Sequence, residues 1–248
     1  MTKRQCWVAI AFALLLGGCA SSGQDDSAND PLEPVNRQIF AFNHTLDDRA
    51  ALPAATYYKS AIPEGARDGV HNFLSNLTLP ITFANDVLQG QVTRAGLAVC
   101  RLGVNTTMGV LGIMDPATGM GCPEHDEDFG ETLAVYGVPG GPYLVLPLLG
   151  STVPRDALGR ILVDHYFNPL GYVTYHGKLY VSLGENFLKL VDHRSRHIGA
   201  LRGIERTSID YYAAMRSIYL QKRESKIEND EGKAPDAPDM PDAPDVQQ

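Results

Sequence analysis

The spacing of apolar positions changes along this chain, and each change marks an element. Val35, Ile39, Phe42 and Leu46 recur at intervals of four, three and four, which places them on one helical face. Asp30-Pro31-Leu32-Glu33 before them has the form of a helix start: an Asp cap, proline at the first helical position and an acid three residues after the cap. Phe40 lies off the stripe, so this helix is apolar on more than its core side. Pro63 opens a second predicted helix with Val70, Phe73, Leu74 and Leu77 at helical spacing. Pro80 starts a third, running to Gly90 through Ile81, Phe83, Val87 and Leu88. A fourth spans Val92 to Met108, and its Gly96 and Gly103, seven apart, leave one face open to close approach by another backbone.

From Gly109 to Gly159 the helical period is lost. The stretch is rich in Gly and Pro, and Pro147 interrupts the apolar run Tyr143–Leu149, so loops or short extended pieces are predicted. Helical spacing returns from Pro169 to Val191, and a last helix is predicted over Ser208–Arg223 with Ile209, Tyr212, Ala213 and Tyr219 near one side. Residues 224–248 end in an acidic Pro-Asp-Ala repeat, too poor in apolar residues to fold and expected to be disordered. The fold class is therefore mainly α: a single-domain array of amphipathic helices over 30–223, with a Gly/Pro-rich irregular segment inside it.

The N-terminus changes this picture. Lys3 and Arg4 precede an apolar run, Trp7 to Leu16, that is too short to span a bilayer and reads as a secretory signal over 1–18. It ends Leu16-Gly17-Gly18-Cys19, which resembles a lipobox and makes Cys19 the expected lipidation site. Residues 20–29 are small and polar and suit a flexible tether from Cys19. Ala20, by resemblance to lipoprotein sorting in Gram-negative bacteria, favours the outer membrane. Formal charge is -8, and removing 1–18 makes it -10; the 224–248 tail alone carries -6. No basic face is left for nucleic acid and no polybasic patch for anionic lipid, so any contact with lipid must be made by apolar surface.

The chain does not advertise an active site. In Cys122-Pro-Glu-His125-Asp126-Glu127-Asp128 metal-ligand types crowd together, but no spacing matches a zinc or calcium site. His193 and His197 stand four apart without the glutamate of a metalloprotease helix. Ser151, Asp156 and His165 follow a triad-like order, yet no nucleophile elbow accompanies them. No enzyme activity, metal or cofactor is expected. Cys100 and Cys122, the other cysteines of the processed chain, leave two readings open: a disulfide suited to an oxidising periplasm, or two separately buried thiols.

Longer blocks carry a resemblance. Asp30 to Asn43 (DPLEPVNRQIFAFN), Asn72 to Leu77, Leu88 to Gly90, Arg101 to Gly109, Glu127 to Pro147 and Gly150 to Gly159 together resemble the MlaA (VacJ) lipoprotein family through most of residues 30–170. The resemblance implies a ring of helices within the inner leaflet of the outer membrane, beside a trimeric porin. It also implies an amphipathic channel that takes mislocalised phospholipid from the outer leaflet, for a soluble periplasmic carrier that feeds an inner-membrane ABC transporter. On that reading the Val138–Pro154 segment, with Tyr143, Leu146 and Pro147, is a gate or channel wall, with core packing as the plainer alternative. Phe42 and Asn43 become a control point on opening, and Arg155 and Asp156 an ion pair near the channel or a surface pair. The competing function is a structural or adaptor lipoprotein that organises a porin-containing complex.

Overall fold

A computed structural model describes residues 30–164 and 178–228. The signal, Cys19, the tether, His165 and the end of the acidic tail lie outside those residues. α1 (Glu33–Leu46) passes through a π-helical turn at Asp47–Ala51 into α2 (Leu52–Ala61). α3 (Glu64–Leu88) and α4 (Val92–Thr107) form the principal helical hairpin. Two short helices follow, α5 (Pro116–Gly119) and α6 (Phe129–Val135). A two-stranded antiparallel ribbon comes next: β1 (Leu144–Leu146) pairs with β2 (Gly150–Thr152), Val145 opposite Ser151. α7 (Pro154–Leu158) leads into a second π-helical turn at Gly159–Asp164. α8 (Lys178–Arg196), α9 (Ile198–Thr207) and α10 (Tyr211–Ile227) complete the described chain. Among the described residues no helix is long and apolar enough to cross a membrane.

Several boundaries differ from the sequence reading. Pro80 does not start a helix; it lies inside the 25-residue α3. A proline in a helix removes one amide and crowds one carbonyl, and the packing of α3 along α4 carries the helix through that loss. Asp30 does not cap α1, whose cap is Leu32 without a side-chain bond. Its carboxylate turns inward to accept from Asn36 Nδ2 (2.9 Å) and from the Tyr212 hydroxyl. The last helix starts at Tyr211, where the Asp210 side chain accepts from Ala213 N–H, and continues past Arg223 to Ile227. Ile209 therefore stands outside that helix and is fully exposed.

Side chains are distributed against the usual rule that apolar groups go inside. Among the described residues, sixteen polar or charged side chains are buried and twelve hydrophobic ones, while thirty large hydrophobic residues are exposed. The apolar core proper is small: Tyr143, Val145 and Tyr212, with Ile39, Phe40, Tyr219 and Leu220 packed against them. Ion pairs between distant segments do much of the joining. Arg194 grips Asp47 across the first π turn with both Nε and Nη2 at 2.8 Å. Arg101 spans from α4 to Asp115, Thr118 and the Cys122 carbonyl.

Candidate functional site

The β1–β2 ribbon lies against α1, and the sequence makes that contact through two asparagines one heptad apart. The Asn36 amide donates to the Tyr143 carbonyl and its oxygen accepts from Val145 N–H, both at 2.9 Å. Seven residues on, the Asn43 amide donates to the Leu146 carbonyl and its oxygen accepts from Leu148 N–H, also at 2.9 Å. Each side chain thus imitates a neighbouring strand, and the pair fixes the register of the ribbon on the helix. Asn36 is 1% exposed, whereas Asn43 is half-buried at the ribbon's turn.

The turn itself is apolar. Leu148 and Leu149 are exposed, and Leu148 holds a left-handed backbone (φ 67°) that Asn43 steadies. Tyr143 is buried, and its hydroxyl shares a 2.7 Å hydrogen bond with Ser151 Oγ; burial pushes that hydroxyl's pKa up. Behind the ribbon a tight cleft of about 10 Å³ is lined by Leu146, Leu149, Thr152, Ala157 and Arg160. A wider apolar groove of about 390 Å³ runs between α3 and α4 past Phe83, Val87, Val92 and Val99. Gly96 and Gly103 lie open on α4, with nothing within 4 Å of the position a Cβ would take.

Of the residues singled out from sequence, the structure brings Asn43, Leu146 and Tyr143 to one place and leaves Phe42 exposed beside them. Arg155 and Asp156 do pair, at 2.9 Å, but as a buried pair and not a surface one. Asp156 also accepts from the Tyr219 hydroxyl (3.0 Å) and meets Arg223 Nε at 2.7 Å. Arg223 also holds Asp128 and Glu131, so three carboxylates of α6 and α7 converge on one guanidinium of α10. Burial disfavours the charged form of Asp128, yet Arg223 outweighs it and holds that carboxyl below its ordinary range. Burial and then the Asp128 charge push Glu131 up to about 8, so the cluster takes up a proton well above the usual carboxylate range.

The ligand-rich run 122–128 is divided among separate partners. His125 pairs with Asp86 (2.9 Å), Glu127 with Arg94 (2.8 Å) and Asp126 with Lys226 (2.7 Å), and Asp128 caps α6. Cys100 and Cys122 are joined by a disulfide that ties α4 to the loop after α5. The partners of the clamp asparagine Asn36 lie more than a hundred residues away, and nothing local in the sequence points to them.

Many exposed large hydrophobic residues over an ion-paired interior, on a single mainly helical domain, define a helical protein built to meet apolar surroundings on part of its surface. Comparison with known proteins gives the family. The MlaA lipoprotein model matches residues 28–226, and the chain belongs to that family. It is 34% identical over 230 residues to the intermembrane phospholipid transport system lipoprotein MlaA of Escherichia coli K12, covering 90% of this chain and 88% of that one. It is 30% identical to the Haemophilus influenzae lipoprotein of the same name, over 92% of each chain. A solved structure concerned with the maintenance of bacterial outer membrane lipid asymmetry superimposes with a TM-score of 0.72 at 32% identity, over 80% of this chain and 99% of that one. The chain is accordingly an envelope lipoprotein.

Proposed function

We propose that this lipoprotein removes mislocalised phospholipid from the outer leaflet of the outer membrane through an amphipathic channel and passes it to a soluble periplasmic carrier. That carrier feeds an inner-membrane ABC transporter, and the cycle keeps the membrane asymmetric. The body sits in the periplasmic leaflet beside a trimeric porin, with the lipid on Cys19 as a second anchor. The observation that carries the reading is the inverted distribution of side chains: hydrocarbon-compatible residues outside, charges and amides inside. Large exposed apolar patches mark sites of membrane or partner contact. In a leaflet the same surface is an asset, and helices satisfy their own backbone there.

A passing phospholipid needs apolar wall for its tails and polar wall for its head group. The Asn-clamped ribbon, with Tyr143, Leu146, Pro147 and the Arg155–Asp156 pair behind it, is the movable part of that wall. Its turn, from Leu146 to Leu148, is held on α1 by one half-buried asparagine. The test is to delete the gene and label outer-leaflet phosphatidylethanolamine with a membrane-impermeant amine reagent. More label in the deletion strain, reversed by the intact gene, supports the channel. Unchanged labelling with a dispersed porin complex supports the adaptor reading instead.

A further inference from the structure

We infer that residues 108–114, between α4 and α5, form a rigid wedge that inserts among lipid acyl chains. The inference rests on the leaflet reading above and names an inserting element that the reading leaves open. The segment reads Met108-Gly-Val110-Leu111-Gly-Ile113-Met114, without one charged or polar side chain. All five of its large hydrophobic residues are exposed, between 49% and 65%, and Met120 joins them at 60%.

Its backbone is prepared for a medium without water. In hydrocarbon an unpaired amide is costly. Here Gly109 N–H donates to the Val104 carbonyl (3.2 Å), Leu111 to Thr106 (3.0 Å), Gly112 to Asn105 (2.8 Å), Ile113 to Val110 (3.3 Å) and Met114 to Gly109 (2.8 Å). Asn72 Nδ2 in turn donates to the Ile113 carbonyl at 3.2 Å. Five of the six amides from Gly109 to Met114 are thus paired.

The shape is fixed as well. Val110 and Leu111 hold left-handed conformations (φ 53° and 60°), a strained choice for a β-branched residue followed by a bulky one. Gly112 is seated against Asn76, where a Cβ would meet the side chain at 2.6 Å, and Gly109 sits where a Cβ would meet the Met114 carbonyl at 2.3 Å. Below the wedge, Asp115 accepts from Arg101 and Asn105, and the Cys100–Cys122 bond closes the base. Strain of this kind persists only where its surroundings over-determine it. What it achieves is to hold five hydrophobic side chains outward, so insertion requires no further ordering.

Lipid is the occupant that fits. The anchors that dominate protein interfaces are tryptophan, tyrosine and arginine, and 108–114 offers none of them and no polar group. The tether from Cys19 to Asp30 spans at most ~40 Å when fully extended, which keeps the body against the membrane that holds the lipid anchor.

The assay has no background from native tryptophan, because the one tryptophan of the sequence, Trp7, precedes Cys19 and is absent from the processed chain. Leu111→Trp, Met114→Trp, Val99→Trp on the α3–α4 groove and Glu224→Trp on α10 are each prepared as lipidated full-length protein, with folding checked by circular dichroism. Each is reconstituted in vesicles of phosphatidylethanolamine and phosphatidylglycerol, with and without bromine on the acyl chains. The expected result is several-fold stronger quenching by brominated chains at Leu111→Trp and Met114→Trp than at Glu224→Trp. Quenching at Val99→Trp with none at either wedge position would overturn the wedge and leave the leaflet reading standing. No quenching at any position would overturn both.

Discussion

Asn36 is the side chain on which the ribbon's attachment depends most. In Asn36→Ala the Tyr143 carbonyl and Val145 N–H lose their partners in a buried setting, and the Asp30 carboxylate loses one of its two short donors. A buried polar group left unpaired costs about 1–3 kcal/mol, so the two orphaned backbone groups amount to roughly 2–6 kcal/mol, while Asp30 keeps its Tyr212 donor. For a domain of this size that lowers the melting temperature by roughly 5–25 °C. Asn43→Ala breaks two bonds of the same lengths, but at the half-buried turn, where water can reach the freed groups; about 1 kcal/mol is expected. Thermal and urea unfolding in detergent measure the stabilities, and amide hydrogen exchange measures the ribbon directly. Asn36→Ala should release Val145 and its strand, whereas Asn43→Ala should release Leu148 and leave Val145 protected. Stability within about 1 kcal/mol of wild type in Asn36→Ala, or equal exchange at both sites in both variants, would refute the clamp.

Three further outcomes are expected. Replacing Cys100 and Cys122 by serine opens a loop of 22 residues, and a loss of about 3 kcal/mol in thermal unfolding is the expected size; no change would mean the ion pairs of Arg101 hold that region alone. Glu131 keeps its proton in the folded protein up to about 8, against 4.5 when free, so folding is favoured fully below 4.5 and that contribution fades as pH rises through about 8. Glu131→Gln should flatten this decline in melting temperature, and an unaltered slope would assign it elsewhere. Leu146→Asp places a charge on the clamped strand beside the cleft and should raise detergent sensitivity of cells at normal protein abundance; unchanged sensitivity would count against the ribbon as a moving wall.

The sequence showed most of the helices, and for a physical reason: each has a stripe of apolar residues at helical spacing, and α4 begins at the predicted residue, Val92, and ends one residue short of Met108. It misjudged Pro80, because whether a proline ends a helix depends on a neighbour that can hold the helix together, and α4 is supplied by the tertiary fold. It also misjudged Asp30, whose local setting is that of a cap but whose carboxylate finds Tyr212, 182 residues away. The same holds for the ion-paired interior. Arg223 meets Asp128 across 95 residues and Arg194 meets Asp47 across 147, and no periodicity encodes such pairs. The Gly/Pro-rich 109–159 stretch was legible as short extended pieces only in part: β1 and β2 are three residues each, but the short helices α5, α6 and α7 also lie in it. What it did not reveal was that Asn36 and Asn43 are the groups that bind the ribbon.

The central claim is that this chain clears phospholipid from the outer leaflet. Its most direct test follows a head-group-labelled phospholipid delivered to the surface of intact cells, and measures how fast the label leaves that leaflet. Cells with the intact protein should clear it several-fold faster than cells lacking it, and Cys19→Ala protein, deprived of its lipid anchor, should restore little. Equal clearance with and without the protein would contradict the account.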